Sequence, residues 1–352
     1  MSELAFDYIN ISIFLTERCY QGCKHCLIDS SPEKPLLGKQ ELKEFSEKVI
    51  VFLDFLQKKW KDMFGKEVFV SVDFTGGEVF LYDPSDLTFV CERLYTLPFV
   101  KSITVSTNLM YLKPVLEFIS RSPFVDICTS YDYDIRFRSE EEEKRWLSNY
   151  LKLRDFGCEP EVEVVVTNLL LKNEKKVLSF FEENGIKKVS FSYLFPSGKA
   201  FNLPSDIFPS LSSVSSFLIK LFNVKDWFKS YTSSYKESFL RGEGIKFPYG
   251  FCFNKFHIKP NGKIYVGEEC FDFLLPLKLD AFEDSSWWNS FLRKYFEFFS
   301  KIYEVCGNCE FFFICQGGCP YVFNFFKQRG WSYVIDSECT GLKSFLKTVF
   351  GI

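Results

Sequence analysis

The sequence predicts an α/β fold: a partial parallel β/α barrel over about residues 8 to 200, followed by a small cysteine-rich domain. Strand-like runs alternate with helical runs through the first half of the chain. Such alternation implies parallel strands joined by right-handed crossovers. A second observation is that ten of the 13 cysteines fall into two groups, one at residues 19–26 and one at residues 252–339.

The first element is the run INISIFL, in which Asn10 and Ser12 alternate with apolar residues, and it predicts a strand that leads into the first cysteine group. The helix KQELKEFSEKVIVFLDFLQKKW follows, with an apolar face built by Leu42, Phe45, Val49, Phe52 and Leu56. The next predicted elements are a strand at 67–74, a helix near 85–96, a strand at 102–107, a helix near 112–121 and a strand at 125–130. The last are a helix rich in Glu and Arg, a strand at 161–167, a helix from Glu174 to Gly185 and a strand at 188–195.

Three domains are expected along the chain: the barrel at 1–200, bridging helices at 201–250 and a cysteine-rich domain at 251–352. The bridge contains LPSDIFPSLSSVSS, whose prolines and serines indicate a loop and a helix start. The run FLIKLFNVKDWF that follows predicts one amphipathic helix.

Composition excludes several classes of function. The net charge of -3 argues against nucleic acid or an anionic membrane as the main partner. No apolar run is expected to span a bilayer, and the N-terminus is acidic where a signal peptide would be basic. We therefore expect a cytoplasmic protein, in which reduced cysteines serve as metal ligands rather than as disulfides.

Polar and glycine residues stand where the predicted strands end. The second strand ends in Gly76, Gly77 and Glu78, the third in Ser106 to Asn108, and the fourth in Thr129 to Asp132. In such folds the catalytic residues lie at the C-terminal ends of the strands. These groups are therefore expected to surround one opening of the barrel.

Three cysteines, Cys19, Cys23 and Cys26, follow the first strand. An iron–sulfur cube takes one cysteine thiolate per iron, so three ligands leave one iron open for chemistry. A zinc site completed by His25 is the alternative, although His25 adjoins Cys26 and is expected to point elsewhere.

The pattern Cys19-x3-Cys23-x2-Cys26 after a first strand, with GGE ending the second, closely resembles the radical S-adenosylmethionine enzymes. The resemblance covers the first half of the chain, with PSGKA at 196–200 matching the usual exit from the last strand. It implies that the unique iron is chelated by the methionine moiety of S-adenosylmethionine, whose reductive cleavage gives a 5′-deoxyadenosyl radical that abstracts hydrogen from a C–H bond. Val79 stands where the motif commonly has proline.

The same resemblance implies a set of cofactor-binding residues. Gly76, Gly77 and Glu78 would meet the methionine amino group through backbone and carboxylate. Ser106, Asn108 and Ser130 would meet ribose or carboxylate. His25, at a position that is usually aromatic, would lie near the adenine.

The C-terminal cysteines resemble the SPASM domain, an extension with two auxiliary clusters. The resemblance implies three [4Fe-4S] clusters in all. One auxiliary cluster would be held by Cys306, Cys309, Cys315 and Cys339, and the other by Cys252, Cys270 and Cys319. A zinc ribbon is the alternative.

The second auxiliary cluster departs from the pattern, because PNGKIYV at 260–266 reaches Cys270 at an unusual spacing. Its fourth iron is left open to substrate or to Asp272, Glu268 or Glu269. His257 is a further candidate, but it alternates within FHIKP as a strand residue and is expected to be structural.

The resemblance favours a maturase that crosslinks or oxidises a residue of a ribosomally made peptide or of a protein, with Asp272 as the base and the auxiliary clusters as electron acceptors. Formylglycine formation, as in sulfatase maturases, and dehydrogenation or epimerisation of a sugar or aminocyclitol are the alternatives. An electron carrier or a zinc-stabilised binding module is a further alternative, but it would give the three-cysteine site no function. Expected partners are the peptide and a flavodoxin- or ferredoxin-type electron donor. Since only eighteen residues precede Cys19, the peptide is expected to be held by the catalytic body itself or by a separate leader-binding protein.

Overall fold

The computed structural model describes residues 8–240, 255–267, 275–306, 308–311, 330 and 343–351. Strands alternate with helices as far as residue 193, as the sequence predicts. The strands of this part are β1 (Tyr8–Thr16), β2 (Phe69–Gly76), β3 (Val100–Thr107), β4 (Asp126–Ser130), β5 (Glu161–Val166) and β6 (Val189–Tyr193). Its helices are α1 (Lys39–Phe64), α2 (Pro84–Tyr95), α3 (Leu112–Arg121), α4 (Glu140–Asp155), the unpredicted α5 (Asn168–Lys172) and α6 (Glu174–Glu183).

The remaining described residues form helices and short strands. They are α7 (Leu211–Val224), α8 (Asp226–Leu240), β7 (Lys255–Ile258), β8 (Lys263–Val266), β9 (Leu277–Lys278), α9 (Ser285–Cys306) and α10 (Lys343–Phe350). Short 3₁₀ turns at Val79–Leu81, Gly198–Asn202 and Ser205–Ile207 connect longer elements.

Within the described residues the strands form one sheet, in the order β6-β5-β4-β3-β2-β1-β7-β8-β9. All neighbours from β6 to β7 are parallel, with Ile11 of β1 opposite Val72 of β2 on one side and Phe256 of β7 on the other. The carboxyl ends of β1 to β6 therefore share one edge of the sheet. The predicted α/β fold with a parallel partial barrel is confirmed.

Helix α1 covers one face of the sheet because its apolar residues recur every three to four positions, as predicted. Its five predicted core residues are all buried, and Trp60 near its C-terminus is fully buried against Phe64 and Phe291. Burying such aromatic side chains stabilises the fold by roughly 2–3 kcal/mol each. The helix ends at Gly65, whose φ of 70° is the left-handed cap that glycine adopts without strain.

The run FLIKLFNVKDWF, predicted as one helix, is divided between α7 and α8, because Lys225 is extended and separates them. The segment Ser205–Val224 is also long and apolar enough to cross a membrane by length and composition alone, although no such run was expected. Phe217 of α7 packs edge-on against Phe191 of β6, with 5.2 Å between ring centroids. Packing of this kind accounts for the apolar face of α7.

Strands β7 to β9 belong to the region predicted as a separate cysteine-rich domain, yet they extend the barrel sheet. Lys259, which follows β7, forms an ion pair of 2.7 Å with Glu17, which follows β1. Its ammonium group also lies 4.3 Å from the centroid of the Phe14 ring. The predicted division into three domains remains a prediction.

Candidate active site

Cys19, Cys23 and Cys26 lie in the loop between β1 and α1, and each is partly exposed. This region, residues 17–31, is called the cysteine loop below. Backbone N–H groups of the loop donate to its own sulfurs: Gln21 to Cys19 Sγ at 3.5 Å and Ser30 to Cys26 Sγ at 3.3 Å. Such donors stabilise a thiolate and so favour metal ligation.

The GGE motif at the end of β2 holds the start of the cysteine loop. The Gly77 N–H donates to the Thr16 carbonyl at 2.7 Å, and the Glu78 N–H donates to the Arg18 carbonyl at 2.8 Å. A Cβ on Gly77 would lie 2.0 Å from the Arg18 oxygen, so only glycine permits this approach. Gly76 has φ of 118° and would place a Cβ 2.4 Å from the Thr16 oxygen.

Glu78 is completely buried, and its carboxylate joins the end of β2 to the end of β3. Oε1 accepts from Phe80 N–H at 3.0 Å and from the Thr107 hydroxyl at 2.9 Å, and Oε2 accepts from Asn108 N–H at 2.8 Å. Burial raises the pKa of Glu78, and these donors oppose the rise. The carboxylate predicted to bind a methionine amino group thus already has three protein partners.

The other predicted cofactor-binding residues lie at the same edge of the sheet. Asn108 is buried after β3, and its Nδ2 lies 3.7 Å from Cys19 Sγ while its Oδ1 accepts from Met110 N–H at 2.9 Å. Ser106 lies in β3 opposite Cys128, and Ser130 is the last residue of β4. The roles of all three residues toward a cofactor remain predictions.

On the other side of the cysteine loop, His25 meets a second buried carboxylate, Asp132. His25 Nε2 lies 3.0 Å from Asp132 Oδ2, and Arg136 Nη1 donates to the same oxygen at 3.2 Å. Asp132 Oδ1 accepts from Val165 N–H at 2.7 Å. Burial alone would raise the pKa of Asp132, but His25 and Arg136 outweigh it and hold the pKa below its ordinary value.

This arrangement leaves two buried polar atoms without partners in the part of the chain that the structure describes. Because an ionised Asp132 can only accept, Nε2 of His25 carries a proton. His25 Nδ1 and Arg136 Nε are both buried and have no hydrogen-bond partner within the described residues. Buried polar atoms are normally satisfied by protein, water or a ligand. Gln21 Nε2, Gln21 Oε1 and Ser30 Oγ of the cysteine loop also lack partners within the described residues.

The surroundings of the three thiols show whether the cysteine loop fits an iron–sulfur cluster. Burial raises the pKa of Cys23 to about 11, while the Arg136 guanidinium opposes the rise and the Cys19 and Cys26 thiols add to it. Burial also raises the pKa of Cys19. Among residues with described positions, no three thiol, imidazole or carboxylate groups converge on a single ion. A cube binds each thiolate through a different iron, so three neighbouring thiols beside a cation fit it better than they fit zinc.

Several predicted residues lie outside the described residues. They are Cys252, Cys270, Cys315, Cys319 and Cys339, together with Glu268, Glu269 and Asp272. Cys306 is the last residue of α9, and Cys309 is partly buried against the core. The two auxiliary clusters and the role of Asp272 therefore remain predictions.

His257 lies within β7, as expected of a strand residue, and its ring is buried 5.7 Å from the ring centroid of Phe14. Sequence reasoning missed Arg136 and assigned no role to Asp132. Both follow β4, at the carboxyl-terminal edge where functional groups gather. A charged residue shortly after a predicted parallel strand is the signal that could have identified Arg136.

No family model matches the chain. It is 25% identical over 205 residues to a "GTP 3',8-cyclase" of Listeria welshimeri, covering 55% of this chain and 56% of that protein. It is 31% identical over 96 residues to "Antilisterial bacteriocin subtilosin biosynthesis protein AlbA" of Bacillus subtilis, covering 27% and 17%. The chain thus spans about half the length of the curated cyclase.

Two solved structures share the fold. "Native anSMEcpe with bound AdoMet and Cp18Cys peptide" is 16% identical with a TM-score of 0.59, covering 93% of this chain and 98% of that chain. SuiB of Streptococcus suis bound to precursor peptide SuiA is 18% identical with a TM-score of 0.57, covering 96% and 77%. The predicted resemblance to radical S-adenosylmethionine enzymes with a SPASM-type extension is confirmed, and the chain has the fold of that class of protein.

Proposed function

We propose that the chain is a radical S-adenosylmethionine enzyme that modifies a side chain of a peptide or protein. The observation that carries this proposal is the cysteine loop, where three thiols stand beside an unsatisfied histidine and arginine at the carboxyl edge of a parallel sheet. A peptide substrate is supported by solved structures of the same fold that contain a bound peptide, and by the relative named for subtilosin biosynthesis.

Cys19, Cys23 and Cys26 would hold a [4Fe-4S] cluster, which when bound would supply the electron for reductive cleavage of S-adenosylmethionine. Arg136 would place positive charge beside Cys23 and so stabilise its thiolate form. His25 Nδ1 and Arg136 Nε would offer hydrogen bonds to the polar groups of S-adenosylmethionine. The backbone of Gly77 and Glu78 would keep the loop in place while the ligand binds.

The proposal also includes two auxiliary clusters and a flavodoxin- or ferredoxin-type electron donor. It further includes a separate leader-binding protein and a cytoplasmic location. Ten cysteines holding three cubes would bind about twelve irons and twelve sulfides per chain. Stoichiometric zinc with only four irons would rule out the auxiliary clusters. A variant lacking the thiols of Cys306 and Cys309 is expected to retain some S-adenosylmethionine cleavage but to form no product.

A nucleotide is the second candidate substrate, because the relatives named GTP 3′,8-cyclase match more than half of the chain. Formylglycine formation and the dehydrogenation or epimerisation of a sugar or aminocyclitol are the remaining alternatives. A peptide and a nucleotide differ in which compound is consumed, so one experiment separates these two candidates.

The test incubates the reduced, reconstituted enzyme with S-adenosylmethionine and either short peptides encoded beside its gene or GTP. We expect a peptide that has lost two hydrogens by mass spectrometry. One hydrogen atom would go to the 5′ carbon, and the remaining electron and proton would go to an auxiliary cluster and a base. Asp272→Asn is expected to abolish this product if Asp272 is that base. Conversion of GTP with unchanged peptides would overturn the peptide assignment.

A further inference from the structure

The segment Ser197–Lys199, which follows β6, contacts the far end of the cysteine loop through three hydrogen bonds. The Lys199 N–H donates to the Cys26 carbonyl at 2.8 Å, and the Ser197 hydroxyl donates to the Leu27 carbonyl at 3.0 Å. The Lys199 ammonium group donates to the Ser30 carbonyl at 2.6 Å. This segment is called the β6 brace below.

The middle residue of the β6 brace must be glycine for two separate reasons. Gly198 has φ of 54°, in the left-handed region that side chains disfavour. A Cβ at this position would lie 2.4 Å from both the Cys26 and Leu27 oxygens, which are backbone atoms with little freedom to move away. The close approach of the β6 brace to Cys26 thus depends on the absent side chain.

The β6 brace acts on the part of the loop that carries the last cysteine. Ser30 donates its N–H to Cys26 Sγ at 3.3 Å, so the carbonyl that Lys199 binds belongs to a residue that already contacts the sulfur. The start of the loop is held by the GGE motif of β2, and Lys24 N–H donates to the Ile135 carbonyl beyond β4 at 3.1 Å. Three different strand ends therefore contact the loop. Among the described residues, the β6 brace supplies the hydrogen bonds from outside the loop to the carbonyls of Cys26, Leu27 and Ser30, while the neighbouring His25 is held by Asp132.

We propose that Ser197, Gly198 and Lys199 are positioning residues for cluster assembly, which set the place of Cys26 before any iron binds. A ligand set that is ordered in advance binds its metal without paying the entropy of ordering the loop. The proposal rests on the proposed function, because it takes the three cysteines as ligands of one cluster.

The test compares Gly198→Ala with Gly65→Ala in the full-length chain. Gly65 has φ of 70° but nothing within 4 Å of its would-be Cβ, so it shares the backbone strain without the close approach. After anaerobic reconstitution, Gly198→Ala should lack about four irons relative to the parent, which is one cube. This is the deficit that we also expect of Cys26→Ala, whereas Gly65→Ala should match the parent. Circular dichroism of the iron-free proteins checks that both glycine variants fold.

A second pair of variants keeps the proposal testable if Gly198→Ala does not fold. Lys199→Met should lose that cube to a chelator at least threefold faster than the parent, and Lys199→Arg should restore the parent rate. The cube's electron paramagnetic resonance signal identifies which cluster is lost. Parent-like iron content in Gly198→Ala, or parent-like cluster loss in Lys199→Met, would overturn the proposal. Equal iron in the parent and Cys26→Ala would instead overturn the proposed function, and this inference with it.

Discussion

Two buried carboxylates flank the cysteine loop, and they differ in what surrounds them. Glu78 and Asp132 each accept three hydrogen bonds, but the donors of Glu78 are two backbone N–H groups and a hydroxyl. Asp132 accepts from one backbone N–H, from His25 and from Arg136. The hydrogen-bond donors of the first carboxylate are all neutral, whereas two of the three donors of the second are basic side chains.

The difference suggests two distinct tasks. Glu78 accepts hydrogen bonds from groups at the ends of β2 and β3, so this carboxylate joins the two strands and fixes the backbone that holds the loop. On the Asp132 side the carboxylate orients two basic groups, each of which keeps one buried atom without a partner in the described part of the chain. We infer that Glu78 holds the backbone beneath the loop, and its role toward the methionine amino group stays a prediction.

The largest effect that separates the two sides is expected from Asp132→Ala. The change leaves the largely buried guanidinium of Arg136 without its counter-charge and Val165 N–H without an acceptor, which should lower the free energy of unfolding by about 3–5 kcal/mol. Urea denaturation measures the loss. Asp155→Ala, at an exposed position of α4, is the control and should change stability by less than about 0.5 kcal/mol. A loss below about 1 kcal/mol for Asp132→Ala would show that the pair is not buried as described.

Glu78→Gln should cost less, because glutamine keeps one acceptor oxygen. Its amide NH₂ would replace the oxygen that accepts from Asn108 N–H, so one buried donor loses its partner at a cost of about 1–3 kcal/mol. The same denaturation experiment applies, with exposed Glu183→Gln as the control. Unchanged stability in Glu78→Gln would contradict the structural role assigned to this side.

The smallest effect is a difference in pH dependence. Burial raises the pKa of Glu78, so its contribution to stability is largest at low pH and falls as the pH rises from the ordinary carboxyl range towards the folded-state pKa. The pKa of Asp132 is lowered by His25 and Arg136 against the effect of burial. Its contribution is therefore present above the ordinary aspartate pKa and lost as the pH falls through the folded-state value.

The measurement follows urea unfolding of the parent, Glu78→Gln and Asp132→Asn across the acidic pH range. The cost of Glu78→Gln should shrink as the pH rises, whereas the cost of Asp132→Asn should shrink as the pH falls. Equal slopes for the two variants would mean that their surroundings do not differ in charge.

Much of the fold could be predicted from the sequence because the strands and helices of the first half carry clear periodicities. The Glu78 side could also be predicted, because the GGE motif and the three cysteines form short local sequence patterns. Sequence reasoning could not place β7 beside β1, since that pairing joins residues about 245 positions apart in the chain. It also missed the break at Lys225, where one apolar run continues across two helices.

The Asp132 side was harder to predict because its members come from distant positions and have no common spacing. His25 belongs to the cysteine loop, Arg136 to the loop after β4, and Val165 to β5. The motif that contains Glu78 was recognised from the sequence. The sequence could not show that Phe80, Thr107 and Asn108 donate hydrogen bonds to its carboxylate. Hydrogen bonding between strand ends depends on the folded backbone, and the motif alone does not encode it.

The most direct test of the account is whether the cysteine loop supports cleavage of S-adenosylmethionine. Reconstituted parent, Cys26→Ala and Cys158→Ala would be reduced, supplied with S-adenosylmethionine, and assayed for 5′-deoxyadenosine by chromatography and mass spectrometry. Cys158 is a partly buried thiol outside the loop and serves as the control. The account predicts 5′-deoxyadenosine from the parent and from Cys158→Ala, and none above background from Cys26→Ala. Equal amounts from the parent and Cys26→Ala, or none from the parent with its iron in place, would contradict it.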